Sequence, residues 1–390
     1  MSSAKDDDAV ELIFLGTGTS SSLPSIGCLT LPRDDPNIEG CRACLSTLAP
    51  EGKKNIRRNT SAVMKVKDKE GKPVTIVIDA GKNFQAAALE WFPKYGLRRI
   101  DALLLTHAHA DAMNGLDDLR GWTLGNNIQQ HVDIYLSQHT FQEVKRSFPY
   151  LVSKEYASGG GDVPDFVYRL IEDGVPFEIN DTGVFVTPFS VHHGRIFSTL
   201  PCPAYAPTPT NDLGGDATPV DMVKAMNISG LGAPKPTDSN LQKVIQPYFC
   251  LGYKIQDQVV YISDVSHIPD SAWSIIRGDK DSKRLPVCVL DCLGTKRHIS
   301  HFGIDQSVAT AREIGAVRSY FVGFSHRVSH EEYVTITEVL GGMTQPEELS
   351  EAEKTGISML GEGEKVWARP AHDGLRVLID ITGEVRDETY

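Results

Sequence analysis

The sequence has too few cysteines for a disulfide-stabilised secreted protein, and it lacks any long apolar run. Its seven cysteines, an odd number, are spread over 390 residues, which argues against a disulfide framework. No stretch of about 18 or more apolar residues occurs, so we expect no transmembrane helix and no membrane partner. The opening segment, MSSAKDDDAV, has neither the basic and apolar regions of a signal peptide nor the arginines of a transit peptide. These absences predict a cytoplasmic protein, with the nucleus as the alternative.

The sequence also lacks an excess of positive charge. Lysine and arginine number 39 against 51 acidic residues, which gives a net charge of −12 at pH 7. Nucleic acids are bound largely through basic surfaces, so this balance argues against a nucleic-acid partner, although it is compatible with a local basic pocket. The chain is long enough to bury a large core without disulfides. Its 41% hydrophobic and 23% charged residues are typical of a globular protein.

Short β-prone segments recur along the whole chain, and helical segments fall between groups of them. This order predicts an α/β protein with high strand content, organised as a single domain over residues 1–390. Three segments lack regular periodicity: 22–58, 201–246 and 341–364. We expect them to form a long ordered loop, an inserted loop or lid, and an insertion near the C-terminus.

Residue types that bind metals follow several of the predicted strands. The strand at 100–105 runs into THAHAD, residues 106–111. His107 and His109 are two positions apart and point the same way in an extended segment, and Asp111 can reach the same space from the next turn. Taken alone, this pattern is equally compatible with two packed or surface histidines and a helix-capping aspartate.

Three later predicted strands also end in histidine or aspartate, at His193, Asp264 and His326. Imidazole and carboxylate are the ligands that zinc and manganese accept. Because the ends of several strands can meet at one edge of a sheet, the ordered series favours a metal site over scattered structural histidines.

The chain resembles the metallo-β-lactamase fold superfamily. The motifs that carry the resemblance are LGTG at 15–18, IDAG at 78–81, LTHAHAD at 105–111, VHHG at 191–194, YISD at 261–264 and SH at 325–326. The resemblance implies an αββα sandwich, with two mixed sheets, helices outside them and a dinuclear metal centre at the sheet edges.

A narrower resemblance points to the phosphodiesterase branch, and within it to bacterial phosphoribosyl cyclic phosphate phosphodiesterase. The motifs are GTGTS at 16–20, GC at 27–28, CRAC at 41–44, RNTS at 58–61 and GLDDLR at 115–120. In addition, SHF at 300–302 resembles a motif of this branch and of tRNase Z, in which a histidine outside the metal shell helps to expel the leaving oxygen.

The resemblance implies two divalent metals, which zinc, manganese or iron would suit. The implied ligands are His107, His109 and His193 for the first metal, Asp264 as a bridge, and Asp111 and His326 for the second. Two such cations polarise a phosphate and lower the pKa of a bound water to about 7. Asp264 and Asp111 therefore belong to the expected catalytic set. His301 is the candidate acid for the leaving group, and the alternative is a histidine packed at a helix entry.

One position departs from the superfamily pattern His-x-His-x-Asp-His, because residue 112 is Ala112. The second metal would lose a ligand. Three interpretations remain open. The site holds one tight and one weak metal; Asp117 or Asp118, about one to two helical turns further on, compensates; or the protein is a non-catalytic relative.

The cysteines of segment 22–58 form a second candidate centre. Cys41 and Cys44 have CxxC spacing, and Cys28 precedes them in the same loop. The resemblance implies a structural zinc held by three cysteines and one histidine, for which His330 is the candidate. The alternative is free thiols in a reduced loop.

These residues predict a metal-dependent phosphodiesterase that hydrolyses a small or cyclic phosphodiester, with Arg120 and His267 as candidate substrate contacts. The alternatives are a tRNase Z-like nuclease, a thioester or lactone hydrolase, and a binding module without turnover. The sequence does not determine the substrate or the oligomeric state, and a homodimer is compatible with it.

Overall fold

Two β-sheets packed face to face form the centre of the computed structural model, which describes residues 8–32, 40–158, 162–198, 244–278 and 283–390. The strands are β1 (Asp8–Gly16), β2 (Ser61–Lys67), β3 (Pro73–Ile78), β4 (Ala102–Leu104), β5 (Val132–Leu136), β6 (Phe166–Leu170), β7 (Phe177–Glu178), β8 (Phe185–Ser198), β9 (Val244–Ile255), β10 (Val259–Ile262), β11 (Val287–Asp291), β12 (Arg318–Val322), β13 (Ala368–Pro370), β14 (Arg376–Asp380) and β15 (Val385–Asp387). Among the described residues, one sheet has the order β15-β14-β1-β2-β3-β4-β5-β6 and the other the order β13-β12-β11-β10-β9-β8-β7. Both sheets are mixed: β1 to β3 pair antiparallel and β3 to β6 parallel, while β9 and β10 pair antiparallel and β10 to β13 parallel.

Helices cover the outer faces of both sheets. They are α1 (Ile26–Leu29), α2 (Arg42–Ser46), α3 (Phe84–Tyr95), α4 (Ala110–Met113), α5 (Arg120–Thr123), α6 (Gln138–Ser147), α7 (Pro149–Val152), α8 (Asp270–Arg277), α9 (Ile304–Ile314), α10 (His330–Leu340) and α11 (Glu351–Ser358). Short 3₁₀ turns occupy Pro50–Asn55, Leu116–Leu119, Leu124–Asn126 and Lys154–Tyr156. Every helix in the described part of the chain is too short or too polar to cross a lipid bilayer.

The alternation of apolar residues along β1 shows how the layers form. Leu12 and Phe14 lie in the core between the sheets, whereas Ile13 and Leu15 lie in a second core with the buried face of α3. Successive side chains of a strand point to opposite faces, so an entirely apolar strand must be covered on both sides. A third core lies beneath α8, α9 and α10 on the outer face of the other sheet. The predicted αββα sandwich is confirmed.

Helix α10 was not expected from the sequence. It contains tyrosine, valine, threonine and isoleucine, which favour strands. Its start is set by a capping box, in which Ser329 accepts from the Glu332 backbone N–H and Glu332 accepts from the Ser329 backbone N–H. The segment 341–364, expected to be an insertion, contains α11, and Ser350 at its start donates to Glu332 at 2.7 Å.

The chain divides into two compact units. The larger comprises Met1–Gly194 and Tyr248–Tyr390 and contains the sandwich; the smaller comprises Arg195–Pro247. The expected loop or lid at 201–246 lies almost wholly outside the described residues, so its role stays a prediction.

The carboxyl ends of the parallel strands meet at one edge of the sandwich. Backbone hydrogen bonds connect the two sheets there: Leu251 N–H donates to the Thr106 carbonyl, and Gly323 N–H donates to the Thr17 carbonyl, both at 2.9 Å. The residues that follow β1, β3, β4, β10, β11 and β12 are therefore held close together.

Candidate active site and metal centres

Three histidines converge at this edge. His107 and His109 follow β4, and His193 lies in β8. Their ring centroids are 4.6 to 5.1 Å apart, and one nitrogen of each lies within 4.8 Å of the others. Three nitrogen lone pairs facing one another need a cation or a proton between them, so the arrangement fits a metal ion.

A short chain of hydrogen bonds orients His107. The Asp79 carboxylate accepts from the Thr106 backbone N–H and hydroxyl, both at 2.8 Å, and the Thr106 oxygen lies 2.8 Å from His107 Nδ1. Because the Thr106 hydroxyl donates to Asp79, His107 Nδ1 carries the proton and Nε2 is left as an acceptor. His107 Nε2 is buried and has no hydrogen-bond partner among the described residues. Buried polar atoms normally have a hydrogen-bond partner, so a buried nitrogen without one fits the role of a metal ligand.

His193 is oriented in the same way. Its Nδ1 donates to the Ser300 carbonyl at 2.7 Å, which turns Nε2 to within 3.2 Å of His109 Nδ1. Gly194 allows this contact: its φ is +79°, and a Cβ there would lie 2.9 Å from the Ser300 side chain. The glycine of the VHHG motif therefore permits the close approach that fixes the tautomer of His193.

Asp264, after β10, supplies a carboxylate to this group. Its Oδ1 lies 4.0 Å from His193 Nε2. Although burial opposes ionisation, the neighbouring imidazoles lower the pKa of Asp264 to about 2, while burial lowers the pKa of His107 well below its usual value. At neutral pH the site thus offers a neutral imidazole and an ionised carboxylate, which is the protonation state that a divalent cation requires.

His301 lies beside the carboxylate and is held from behind by Asp291. His301 Nδ1 is 2.8 Å from Asp291 Oδ2 and 3.6 Å from Asp264 Oδ1. Burial favours the neutral ring, but the Asp291 charge and hydrogen bond outweigh it and raise the pKa of His301 to about 9. The imidazole is therefore protonated at neutral pH and is in position to donate a proton in the cleft.

The position expected for a second metal is poor in ligands. The cleft there is lined by Asp111, Ala112, Gly323, Thr19 and Thr60, together with the groups described above. Ala112 presents a methyl group and Gly323 has no side chain. Burial, and then the charge of Asp264, raise the pKa of Asp111.

A separate cluster brings three cysteines to His326. His326 Nδ1 lies 3.2 Å from Cys28 Sγ and 3.8 Å from Cys44 Sγ, and Cys41 Sγ lies 2.9 Å from the His326 carbonyl. The four side chains form one group with ligand atoms within 4.8 Å of one another. Without a cation, burial raises the pKa of Cys44 to about 12. Three thiols and one imidazole are a donor set that fits structural zinc.

This cluster revises two assignments made from the sequence. His326, expected at the second active-site metal, faces the cysteines; His330, expected as their partner, does not. His330 is buried as the first residue of α10, with its backbone N–H donating to Asn55 and its Nε2 2.9 Å from the Tyr390 hydroxyl. The chain reaches the cysteines in the turn before α10, and the helix then directs His330 away from them.

Arg57 holds that turn in place. Its guanidinium is fully buried and donates to the Ser325 carbonyl at 2.6 Å, the Val328 carbonyl at 3.1 Å and the Asn55 side chain at 3.1 Å. Two of these acceptors flank His326 and the third lies in the segment before β2, so the buried guanidinium fixes the backbone from which the His326 side chain projects.

The expected substrate contacts lie outside the cleft. Arg120 binds Asp117 through two hydrogen bonds, and Asp117 also accepts from Tyr150. His267 packs its ring against His192 at 4.9 Å and pairs with it through the backbone. Neither Asp117 nor Asp118 lines the cleft, so neither replaces the ligand missing at position 112.

Tyr248, which stacks on His109, was not predicted from the sequence. The rings are 4.6 Å apart and nearly parallel, with 4° between their planes, and the Tyr248 hydroxyl accepts from the Ala108 N–H at 3.3 Å. His139, just after β5, lies edge-on to Tyr248 at 6.0 Å. An aromatic residue within a strand such as β9 carries no local signal for this role. The position of His139 after a parallel strand was a signal that could have indicated this part of the site.

Residues 74–214 match the beta-lactamase superfamily domain. This protein has the metallo-β-lactamase fold. A diphosphatase from the PhnP family shares the fold with a TM-score of 0.58 and 22% identity, over 94% of this chain and 96% of that one. Zn(2+)-bound PqqB from Methylobacterium extorquens shares it with a TM-score of 0.54 and 17% identity, over 94% and 99% of the two chains.

A curated relative is the octanoyltransferase of Porphyromonas gingivalis. It is 25% identical over 327 residues, which are 83% of this chain and 48% of that protein. This metallo-β-lactamase-fold chain therefore spans about half the length of that relative.

Proposed function

We propose that the protein is a metal-dependent hydrolase that cleaves a small or cyclic phosphodiester. The observation that carries the proposal is the presence, in one cleft, of a three-histidine cation site and of His301 backed by Asp291. The two features correspond to the two needs of ester hydrolysis, an activated water and a protonated leaving group.

His107, His109, His193 and Asp264 would hold the cation. A divalent cation bound there would polarise a substrate oxygen and lower the pKa of a water to about 7. Zinc, manganese and iron all suit imidazole and carboxylate ligands. The cysteine cluster would hold a structural zinc that orders segment 22–58.

His301 would donate the proton that the leaving alkoxide needs. Asp291 contributes in two ways: its hydrogen bond to Nδ1 sets the ring orientation, and its charge stabilises the protonated form. Asp291 is fully buried, so this charge is weakly screened by water. An alkoxide is a poor leaving group without a proton, whereas a thiolate leaves readily, so a dedicated acid favours oxygen esters over thioesters.

The fold shared with a PhnP-family diphosphatase makes phosphorus esters the first class to test. The net charge of −12 argues against a tRNase Z-like nuclease. A carbonyl ester or thioester is the second candidate, and the relative named octanoyltransferase is the observation that favours it.

Hydrolysis of bis(p-nitrophenyl) phosphate and of an octanoyl thioester by the metal-loaded full chain tests the proposal. We expect phosphodiester turnover that falls by about 100-fold or more in His107→Ala and Asp264→Ala. His131→Ala serves as the control, because that ring lies beside Asp133, away from the cleft. Metal-loaded protein that hydrolyses the thioester and no phosphodiester would overturn the proposal in favour of the second candidate.

A further inference from the structure

Given the proposed cation at the three histidines, we infer that the active site holds a single metal ion, and that the neighbouring position of the superfamily's dinuclear centre is not a metal site in this protein. The inference concerns the ligands that this chain brings to that position, and it goes beyond the proposed function, which needs one cation only.

The first argument is the shortage of donors. Three carboxylates line the cleft, those of Asp79, Asp111 and Asp264, but both oxygens of Asp79 already accept hydrogen bonds from Thr106. Asp111 and Asp264 are therefore the acidic groups free to bind a cation here, and the lining groups at Thr19 and Thr60 are hydroxyls. A zinc site is normally closed by four ligands, three of them from protein side chains even where one position is left for water. His301 lies close to His193 and Asp264, but its Nδ1 is held by Asp291. With Asp264 shared with the first cation, Asp111 is the single acidic ligand left to this position alone.

The second argument is that neither Ala112 nor Gly323 supplies a metal ligand, and that the structure leaves no room for one at Gly323. Ala112 is 2% exposed and presents its methyl group to the cleft. Gly323 has φ +79°, and a Cβ at this residue would lie 2.6 Å from Asp291 Oδ1. The end of β12 is thus closed to any side chain, because the space is taken by the carboxylate that holds His301.

The third argument is that the histidine implied for the second metal is engaged elsewhere. His326 Nδ1 faces Cys28 and Cys44, and the carbonyls on either side of its turn are bound by the buried Arg57. Turning the imidazole towards Asp111 would remove the fourth donor of the cysteine cluster, and the bonds from Arg57 hold the backbone of the turn where His326 reaches that cluster. The two centres therefore compete for one histidine, and the geometry assigns it to the cysteines.

Counting metal in purified full-length protein tests the inference. The protein is loaded with zinc, passed through gel filtration to remove free ions, and analysed by inductively coupled plasma mass spectrometry. We expect two zinc ions per chain, falling to one in His107→Ala and to one in Cys44→Ser. Asp111→Asn is the discriminating variant: a single-metal site predicts that its zinc content stays at two.

Three zinc ions per chain, falling to two in Asp111→Asn, would overturn the inference and leave the proposed function intact. One zinc ion, lost in Cys44→Ser and retained in His107→Ala, would instead overturn the proposed function. Electron paramagnetic resonance of the manganese-loaded wild type gives a second measurement that does not depend on the folding of any variant. Signals of isolated Mn²⁺ support one cation, whereas the spectrum of an exchange-coupled manganese pair excludes it.

Discussion

His326 Nδ1 lies 3.2 Å from the sulfur of Cys28, although the two residues are 298 positions apart in the chain. This contact joins the turn after β12 to the loop that follows β1. It places His326 in the cysteine cluster, and it separates that histidine from the cleft in which His107, His109 and His193 converge.

Replacing Cys28 with serine should remove the proposed structural zinc and destabilise the protein. The loop and the turn would lose the cation that links them, and we expect the free energy of unfolding to fall by at least about 3 kcal/mol. Zinc content and denaturant unfolding measure the effect. Cys288→Ala is the control, because Cys288 is buried in β11 away from the cluster. Retention of full zinc content by Cys28→Ser would contradict the assignment.

Replacing His301 with glutamine should make turnover depend strongly on the leaving group. Glutamine keeps a polar side chain but cannot supply a proton, so we expect kcat for an alkyl phosphodiester to fall by about 10²–10⁴-fold. A p-nitrophenolate leaves without protonation, so bis(p-nitrophenyl) phosphate should lose much less. Equal losses on both substrates would show that His301 is not the leaving-group acid.

Replacing Asp79 with asparagine should reverse the tautomer of His107. Asparagine tolerates the left-handed backbone at this residue, where φ is +60°. Its amide would donate to Thr106, the Thr106 hydroxyl would turn to His107 Nδ1, and the imidazole proton would move to Nε2, where the cation binds. We expect about 10–100-fold weaker binding of the active-site metal.

Metal titration with a fluorescent chelator measures this change. Asp101→Asn is the matched control: Asp101 also accepts a backbone N–H, from Thr75, but it lies away from the metal-binding histidines. Unchanged affinity in Asp79→Asn would show that the hydrogen-bond chain does not orient His107.

Replacing Tyr248 should separate the role of its ring from that of its hydroxyl. Tyr248→Ala removes the stack on His109 and should weaken metal binding by about 10-fold or more. Tyr248→Phe keeps the ring and loses the hydrogen bond from the Ala108 N–H, so it should bind nearly as well as the wild type. Equal affinity of the alanine and phenylalanine variants would contradict a positioning role for the ring.

His372 should make the folded state sensitive to acid. Burial lowers the pKa of His372 to about 4, against about 6.5 in an unfolded chain. Between these values the unfolded state binds more protons, so the free energy of unfolding rises with pH. The stabilisation is complete above about pH 6.5 and is lost as the pH falls towards 4, at about 1.4 kcal/mol per pKa unit.

Urea unfolding at several pH values measures this dependence. His372→Gln should flatten the profile, while metal release at low pH affects wild type and variant alike and cancels in their difference. The ring of His330 lies 5.4 Å away, and its pKa is lowered by burial and then by the charge of His372, so the variant profile also includes a change at His330. Parallel profiles would show that His372 does not contribute.

Much of the active site was predictable, because its residues occupy positions with a regular geometric meaning. His107, His109 and Asp264 follow buried parallel strands, and the ends of such strands share one edge. The αββα sandwich was expected from the resemblance of the motifs to the metallo-β-lactamase fold superfamily, and β1 and β3 fit it because both carry apolar side chains on their two faces. Helix α10 is hard to predict because its β-branched residues favour a strand, whereas the capping box at Ser329 and Glu332 favours a helix.

The sequence by itself determined the strand pattern and the chemistry available at the strand ends, because these depend on periodicity and residue type within short segments. The αββα class was implied by the resemblance of its motifs to a known superfamily. Only the tertiary structure decided which of His326 and His330 joins the cysteines, and that Tyr248 supports His109. Each of these depends on the direction of a side chain after a turn. That direction is set by groups distant in the sequence, such as the buried guanidinium of Arg57, and no local pattern encodes it.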